Sequence, residues 1–208
     1  MPRRTSEQRR REILDAALEC FTCNGFAAST MAEIRARAGA STGSIYHHFK
    51  SKEQLAAGLY LQGVRDMQQR GLSALLQHES TERGIRALVE AYLDWVRDQP
   101  ALAAFLFAMR HAEFVQAVEQ DLDRIQREAV EAAANWFRSR MVRGELPNLP
   151  TDVMRAIVYG PAAHFAREWV TSRSDAHLAT AKHQLATATW RALEGLRARE
   201  PRLHDERP

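Results

Sequence analysis

The residues of this chain best suited to chemistry crowd into positions 39–52, which read GASTGSIYHHFKSK. Thr42 and Ser44 carry hydroxyls that donate to or accept from a base edge. Gly43 between them keeps the backbone free to approach a groove closely. Tyr46 and His47 are long enough to reach phosphate oxygens, and Lys50 and Lys52 add positive charge. This is recognition chemistry rather than turnover. Cys20 and Cys23 stand as C-x-x-C, but a structural zinc site needs a second ligand pair at suitable spacing and none follows. A thioredoxin-like motif needs a strand-to-helix turn, whereas these cysteines lie near the end of a helical pattern. They read as ordinary helix residues, with a redox switch as the weaker alternative. His111 with Glu113, and His164 with Glu168, are isolated pairs on helices, which usually serve as surface or core polar groups. With no phosphate loop or nucleophile elbow, the expectation is a chain without catalytic residues, metal or cofactor.

The surrounding elements explain how such a stretch is held. Thr5 with Gln8, and Thr30 with Glu33, have the spacing of capping boxes and announce two helices. Ile13, Leu14, Ala17, Leu18 and Phe21 recur at helical spacing in the first, and Gly25 is its expected stop. The second buries Met31, Ile34 and Ala38 and ends at Gly39. Ser41 caps a short third helix to about Phe49, and Ser51 with Gln54 opens a fourth that runs to about Leu75. Gly39-Ala40-Ser41 is therefore the tight connection of a helix-turn-helix, whose second helix presents its N-terminal residues to the major groove. Ile45 and Phe49, four residues apart, face inward and seat that helix. The amides at the helix starts capped by Thr30 and Ser51 are natural phosphate sites.

Composition agrees with a helical, globular chain: 208 residues, 45% hydrophobic, with 10 Gly and 7 Pro. Residues 1–52 hold nine Lys/Arg against five Asp/Glu, while the remainder holds twenty against twenty-one. The positive excess thus sits beside the candidate stretch, where a nucleic-acid partner would act; a solvated basic tail would give the same count. No apolar run approaches the length of a membrane span and no signal-peptide pattern opens the chain, so the expected location is cytoplasmic, without a membrane.

Farther on, the helices lengthen. A stripe over Thr81–Asp98 ends at Pro100, which also opens a nearly all-apolar segment to Met109 that should be wholly buried. Phe114 to about Val142 reads as one long helix. Thr151 is expected to cap a helix reaching about Thr171, with Pro161 inside it. Such a proline costs on the order of 3 kcal/mol unless neighbours compensate, and predicts a kink that leaves the Ile157 carbonyl without its usual donor. A last helix spans Asp175–Arg199. The fold class is all-α.

The run from Thr30 to Leu55, with Gly39, Ser41, Gly43, Ile45-Tyr46-His47-His48-Phe49 and Ser51-Lys52-Glu53, closely resembles the DNA-binding signature of the TetR (tetracycline repressor) family. The resemblance covers about the first quarter of the chain. It implies a homodimeric transcriptional regulator, usually a repressor, with a helix-turn-helix DNA-binding domain at 1–52. A helical ligand-binding and dimerisation domain would follow at 53–200, and 201–208 would be a frayed tail. By position, Thr42, Gly43, Ser44, Tyr46 and His47 fall where family members touch DNA, and Thr30 and Lys52 where they touch phosphate. The family often has a lysine where Thr42 stands. Arg3, Arg4 and Arg9 to Arg11 would compensate from a flexible arm, or else form a solvated basic tag. His48 is balanced between packing inward and reaching the DNA backbone.

The rest of the chain carries no comparable signature. The resemblance implies a cavity for a small, largely apolar or aromatic effector, and the candidates to line it are Trp95, Phe105, Met109, Trp136, Tyr159, His164 and Phe165. On the last helix, Leu178, Ala181, Leu185, Ala188, Ala192 and Gly195 share one side. That seam of mostly small residues suits a four-helix interface across a twofold axis; an internal core face is the competing account. An enzyme and a protein-binding helical scaffold are the rival classes, and salt-dependent binding to duplex DNA separates them from a regulator.

Overall fold

The structure is a computed structural model that describes residues 5–172 and 175–198, and among these it contains helices and no strand. The elements are α1 (Ser6–Ala28), α2 (Met31–Arg37), α3 (Thr42–His48), α4 (Lys52–Leu76), α5 (Thr81–Asp98), α6 (Pro100–Met109), α7 (Glu113–Gln116), α8 (Glu119–Val142), α9 (Thr151–Ser172) and α10 (Asp175–Arg197). Arg3, Arg4 and the tail at 201–208 lie outside the described residues.

The described residues divide into two compact units. The first comprises those up to Asp66 together with Gln99–Ile125; the second comprises Met67–Asp98 and those from Gln126 onward. In the first unit, α1 is opened by the full Thr5/Gln8 capping box, each side chain accepting from the other's backbone N–H. Its apolar stripe Ile13, Leu14, Ala17 and Phe21 is buried with Ile34 of α2, Ile45 of α3, Phe49, and Leu55 and Leu59 of α4. These aliphatic and aromatic groups leave water together, the main favourable term in such a core. Glycines let the elements close up. A Cβ on Gly58 would sit 3.0 Å from the Phe49 ring, and one on Gly63 would sit 3.1 Å from both Leu102 and Leu106 of α6.

The second unit is organised around α5, which packs against both α9 and α10. Ile85, Leu88, Val89, Tyr92, Leu93, Trp95 and Val96 are all buried on it. From α10, Leu178, Ala181, Ala186, Trp190 and Leu193 point into the same core. Polar ties cross its edge: Lys182 Nζ donates to Asp94 Oδ1 at 2.9 Å, and the Thr81 hydroxyl donates to Glu145.

Four expectations are corrected. Gly25 does leave the helix, at φ 77°, yet a further turn continues to Ala28 before Ser29 ends it. The long helix expected from Phe114 is two, because the chain tightens to i→i+3 bonds (Val115 N to Ala112 O, Val118 N to Val115 O) as Phe114 and Val115 are both buried. Tertiary packing overrides propensity there. In α6, Leu102, Ala103, Phe105 and Leu106 are buried but Ala108 is exposed, so the segment is not wholly covered. Thr151 is the first helical residue of α9 rather than its cap. Around Pro161, α9 continues as helix.

Candidate functional site

The reading stretch is assembled by local chemistry. Gly39 adopts φ 54°, a left-handed conformation that glycine enters without steric cost, and so ends α2 after Ala38. Two residues later the Ser41 hydroxyl accepts from Ser44 N at 3.2 Å and starts α3. Ile45 is completely buried and Phe49 nearly so, which fixes the inner face of α3. On the other face Thr42, Gly43, Tyr46 and His47 are exposed, with Ser44 half-buried at their edge. Positions i, i+1, i+4 and i+5 of a helix lie side by side, so these four residues form one outward surface. Tyr46 is 43% exposed although its neighbour Ile45 is fully covered. Tyr46 therefore offers both its ring and its hydroxyl on the same outward surface as Thr42, Gly43 and His47.

His48 is half-buried, its ring 5.2 Å from that of His47. Burial, helped by the positive charges of His47, Arg10 and Arg9, holds its pKa below the usual histidine value. Lys50 is exposed, and its backbone N–H donates to Gln54 Oε1 at 3.0 Å. Glu53, at the start of α4, has its carboxyl pKa held down first by a hydrogen bond from its own backbone and then by Ser51.

Two residues expected at phosphate are engaged within the protein. The Thr30 hydroxyl accepts from Glu33 N at 3.2 Å and donates to Glu33 Oε2 at 2.9 Å. Lys52 Nζ donates to the backbone carbonyls of Phe26, Ser29 and Ala27 at 2.8, 3.0 and 3.1 Å. Nothing in the sequence signals that contact, because it joins positions 23–26 residues apart. Arg9 to Arg11 belong to α1 and not to a flexible arm, since the cap at Thr5 starts the helix before them. Arg9 donates to the Ala38 carbonyl at 3.1 Å, and the Arg10 guanidinium lies 5.2 Å from the Phe49 ring centre. Both arginines stabilise the ends of α2 and α3, a role that sequence reading missed.

The seven residues expected to line one effector cavity fall in both units. Phe105 and Met109 belong to the first, where Phe105 stacks on Phe21 of α1 with ring centres 5.6 Å apart. Trp95, Trp136, Tyr159, His164 and Phe165 belong to the second. Trp95 is fully buried in α5, and Trp136 carries the Arg140 guanidinium 4.3 Å from its ring centre. Tyr159 meets Tyr92 edge-on at 6.0 Å, and burial raises both phenol pKa values to about 12. His164 and Phe165 line one hollow of about 460 Å³ with Pro161, Glu168, Trp169, Ser172, His177 and Leu185. On α4, Gln68 Oε1 is buried without a hydrogen-bond partner. It sits one turn before Gly71, whose absent Cβ would lie 3.7 Å from the Tyr159 hydroxyl. Sequence reading passed over Gln68 because a single polar residue does not disturb an apolar stripe.

Cys20 is buried and Cys23 exposed, both as free thiols on α1, and burial raises the Cys20 pKa. Among the described residues, no cluster of three or more His, Cys, Asp or Glu is placed to hold a metal. No helix there is long and apolar enough to cross a membrane.

Comparison with known proteins bears on the same stretch. Residues 13–59 match the family model described as bacterial regulatory proteins, tetR family. The HTH-type transcriptional regulator BetI of Escherichia coli O127:H6 is 35% identical over 164 residues, 78% of this chain and 80% of that one. An HTH-type transcriptional repressor of Mycobacterium tuberculosis is 28% identical over 158 residues, covering 71% and 74%. A crystal structure of a tetR family transcription regulator from Shewanella sp. PV-4 superposes with TM-score 0.72. It is 26% identical, with 91% of this chain and 98% of that one covered.

Proposed function

The chain belongs to the TetR family of DNA-binding transcriptional regulators, and from that premise we propose that it is a homodimeric repressor released from its operator by a small effector. The observation that carries the DNA-reading part is the outward face of α3: Thr42, Gly43, Tyr46 and His47 exposed above a fully buried Ile45. Thr42 and Ser44 would hydrogen-bond base edges, Gly43 would allow close approach, and Tyr46 and His47 would reach phosphates. Two copies of α3 would address half-sites about 34–36 Å apart, one turn of duplex. Residues 1–52 are the proposed DNA-binding domain and 53–200 the ligand-binding and dimerisation domain. Support for repression is the name of the mycobacterial relative.

Dimerisation is proposed through α9 and α10. Of the expected seam, Leu178 and Ala181 are buried in the core of the second unit and Leu185 is half-buried. Ala188, Ala192 and Gly195 are exposed along one side of α10; small side chains there would let a second helix approach closely. For the effector, the hollow at His164 and Phe165 has the size of a small-molecule site, typically about 300–1,000 Å³. An apolar or aromatic compound suits its Pro161, Phe165, Trp169 and Leu185 lining. The effector would act on DNA binding only through different affinities for two conformations. Helix α4 contributes residues to both units and is the proposed link. The relatives are regulators, and we assign the chain no catalytic role.

The test is selection of bound duplexes from random DNA, followed by a compound screen for release. Recovery of a two-fold symmetric site with half-sites one turn apart is the expected result. A pool with no enriched sequence would refute the reading.

A further inference from the structure

We propose that Lys52 is a positioning residue for DNA reading, clasping the start of α4 to the end of α1, instead of a phosphate contact. The inference rests on the DNA-binding reading above and changes how the reading helix is held. An ammonium group has three hydrogens to donate. Here Nζ has three carbonyl oxygens within 3.1 Å, those of Phe26, Ala27 and Ser29. The three distances match hydrogen bonds, so no N–H is left to point at a phosphate. The carbonyls are available because those of Phe26 and Ala27 lie in the last turn of α1 and that of Ser29 at its C-cap, where the helix supplies no further N–H donors. Those carbonyl oxygens carry partial negative charge, and α1 has no basic residue of its own in its last turn. Lys52 supplies the missing charge from the first residue of α4.

The clasp has an aromatic base. The ammonium lies 4.6 Å from the Phe26 ring centre, a cation–π distance. Phe26 meets Phe21 at 5.3 Å and Phe114 of α7 at 5.2 Å. Phe21 in turn stacks on Phe105 of α6. On the other side of the clasp, α3 ends at Phe49, whose ring occupies the space a Cβ on Gly58 of α4 would need and lies under Arg10 of α1. The angle of α3 is therefore set by the frame that α1 and α4 make. Releasing Lys52 leaves every group on the outer face of α3 in place but loosens that frame.

The two roles predict opposite behaviour. A phosphate contact weakens all duplexes alike when removed, lowers the salt slope by about one, and is restored by arginine. A positioning residue affects the preferred site, and a planar guanidinium does not reproduce a three-way ammonium clasp. The experiment measures full-length wild type, Lys52→Met and Lys52→Arg below their melting temperatures. Each is titrated with a duplex selected by the wild type and with a scrambled duplex, over a range of KCl. The clasp predicts at least a tenfold loss on the selected duplex for both variants. It also predicts little change on the scrambled one and an unchanged salt slope. Phe26→Leu, which removes the ring but keeps bulk, should lose selectivity in the same direction. Wild-type affinity in Lys52→Arg, or equal weakening on both duplexes with a shallower slope in Lys52→Met, overturns the proposal. So does failure of both lysine variants to fold, which would make Lys52 a folding residue. A wild type that selects no duplex at all defeats the DNA-binding reading itself, a distinct outcome.

Discussion

Tyr46 concentrates the functional reading at one side chain. The residue is 43% exposed on a helix whose adjacent Ile45 is fully buried, so truncation removes little core packing. Tyr46→Ala should weaken binding to the selected duplex at least tenfold while shifting unfolding by about 0.5 kcal/mol or less. Anisotropy and urea titrations read the two effects separately, and a large stability loss with normal DNA binding would reverse the assignment. His48 gives a pH test. Its folded pKa lies below the ordinary 6.5, so the folded head resists a proton that the unfolded chain accepts. Stability should fall as pH drops below about 6.5, and His48→Gln should flatten that fall. Tyr92 and Tyr159 titrate the other way. Burial raises both to about 12 from 10, so the unfolded chain loses these protons first as pH climbs. Melting temperature should decline between pH 10 and 12, less steeply in Tyr159→Phe.

The elements show what a local signal can and cannot carry. The caps at Thr5, Thr30 and Ser41 were legible because each is a contact within three residues, reciprocal at Thr5 and Thr30 and one-way at Ser41, and all three form as the spacing implies. Gly39 was legible for a similar reason, and Gly39→Ala should cost roughly 1–2 kcal/mol through its positive φ. Gly84 was not legible as special. A Cβ there would lie 2.6 Å from Trp136 of α8, a contact between residues far apart in sequence. Gly84→Ala should destabilise by about 1–3 kcal/mol through overpacking, measured by chemical unfolding. The break between α7 and α8 was hidden for the same cause. Neither proline nor glycine marks it, and the tight turn accompanies the burial of Phe114 and Val115. Helix α6 looked uniformly apolar, yet composition alone does not say which side meets a partner, and Ala108 is exposed.

At the scale of the whole molecule, packing groups Gln99–Ile125 with the N-terminal helices. A cut drawn along the sequence cannot express that, because α6 joins α1 through the non-local pair Phe21 and Phe105. The helix-turn-helix that carries the proposed reading face was visible in sequence since its caps and turn are local. The residues proposed to line an effector cavity were not separable from the core, since aromatic side chains serve core and cavity alike. The proposed dimer face makes its own prediction: Ala192→Arg on the exposed side of α10 should give a folded monomer by sedimentation. Its binding to the two-fold site should be weakened. An undisturbed dimer would place the interface elsewhere. Most direct is titration of the wild-type protein with its selected duplex and with a scrambled one across a KCl series. The account predicts a preference of about 10³-fold or more, with log affinity falling linearly in log salt. Equal affinity for the two duplexes, or binding indifferent to salt, would contradict it.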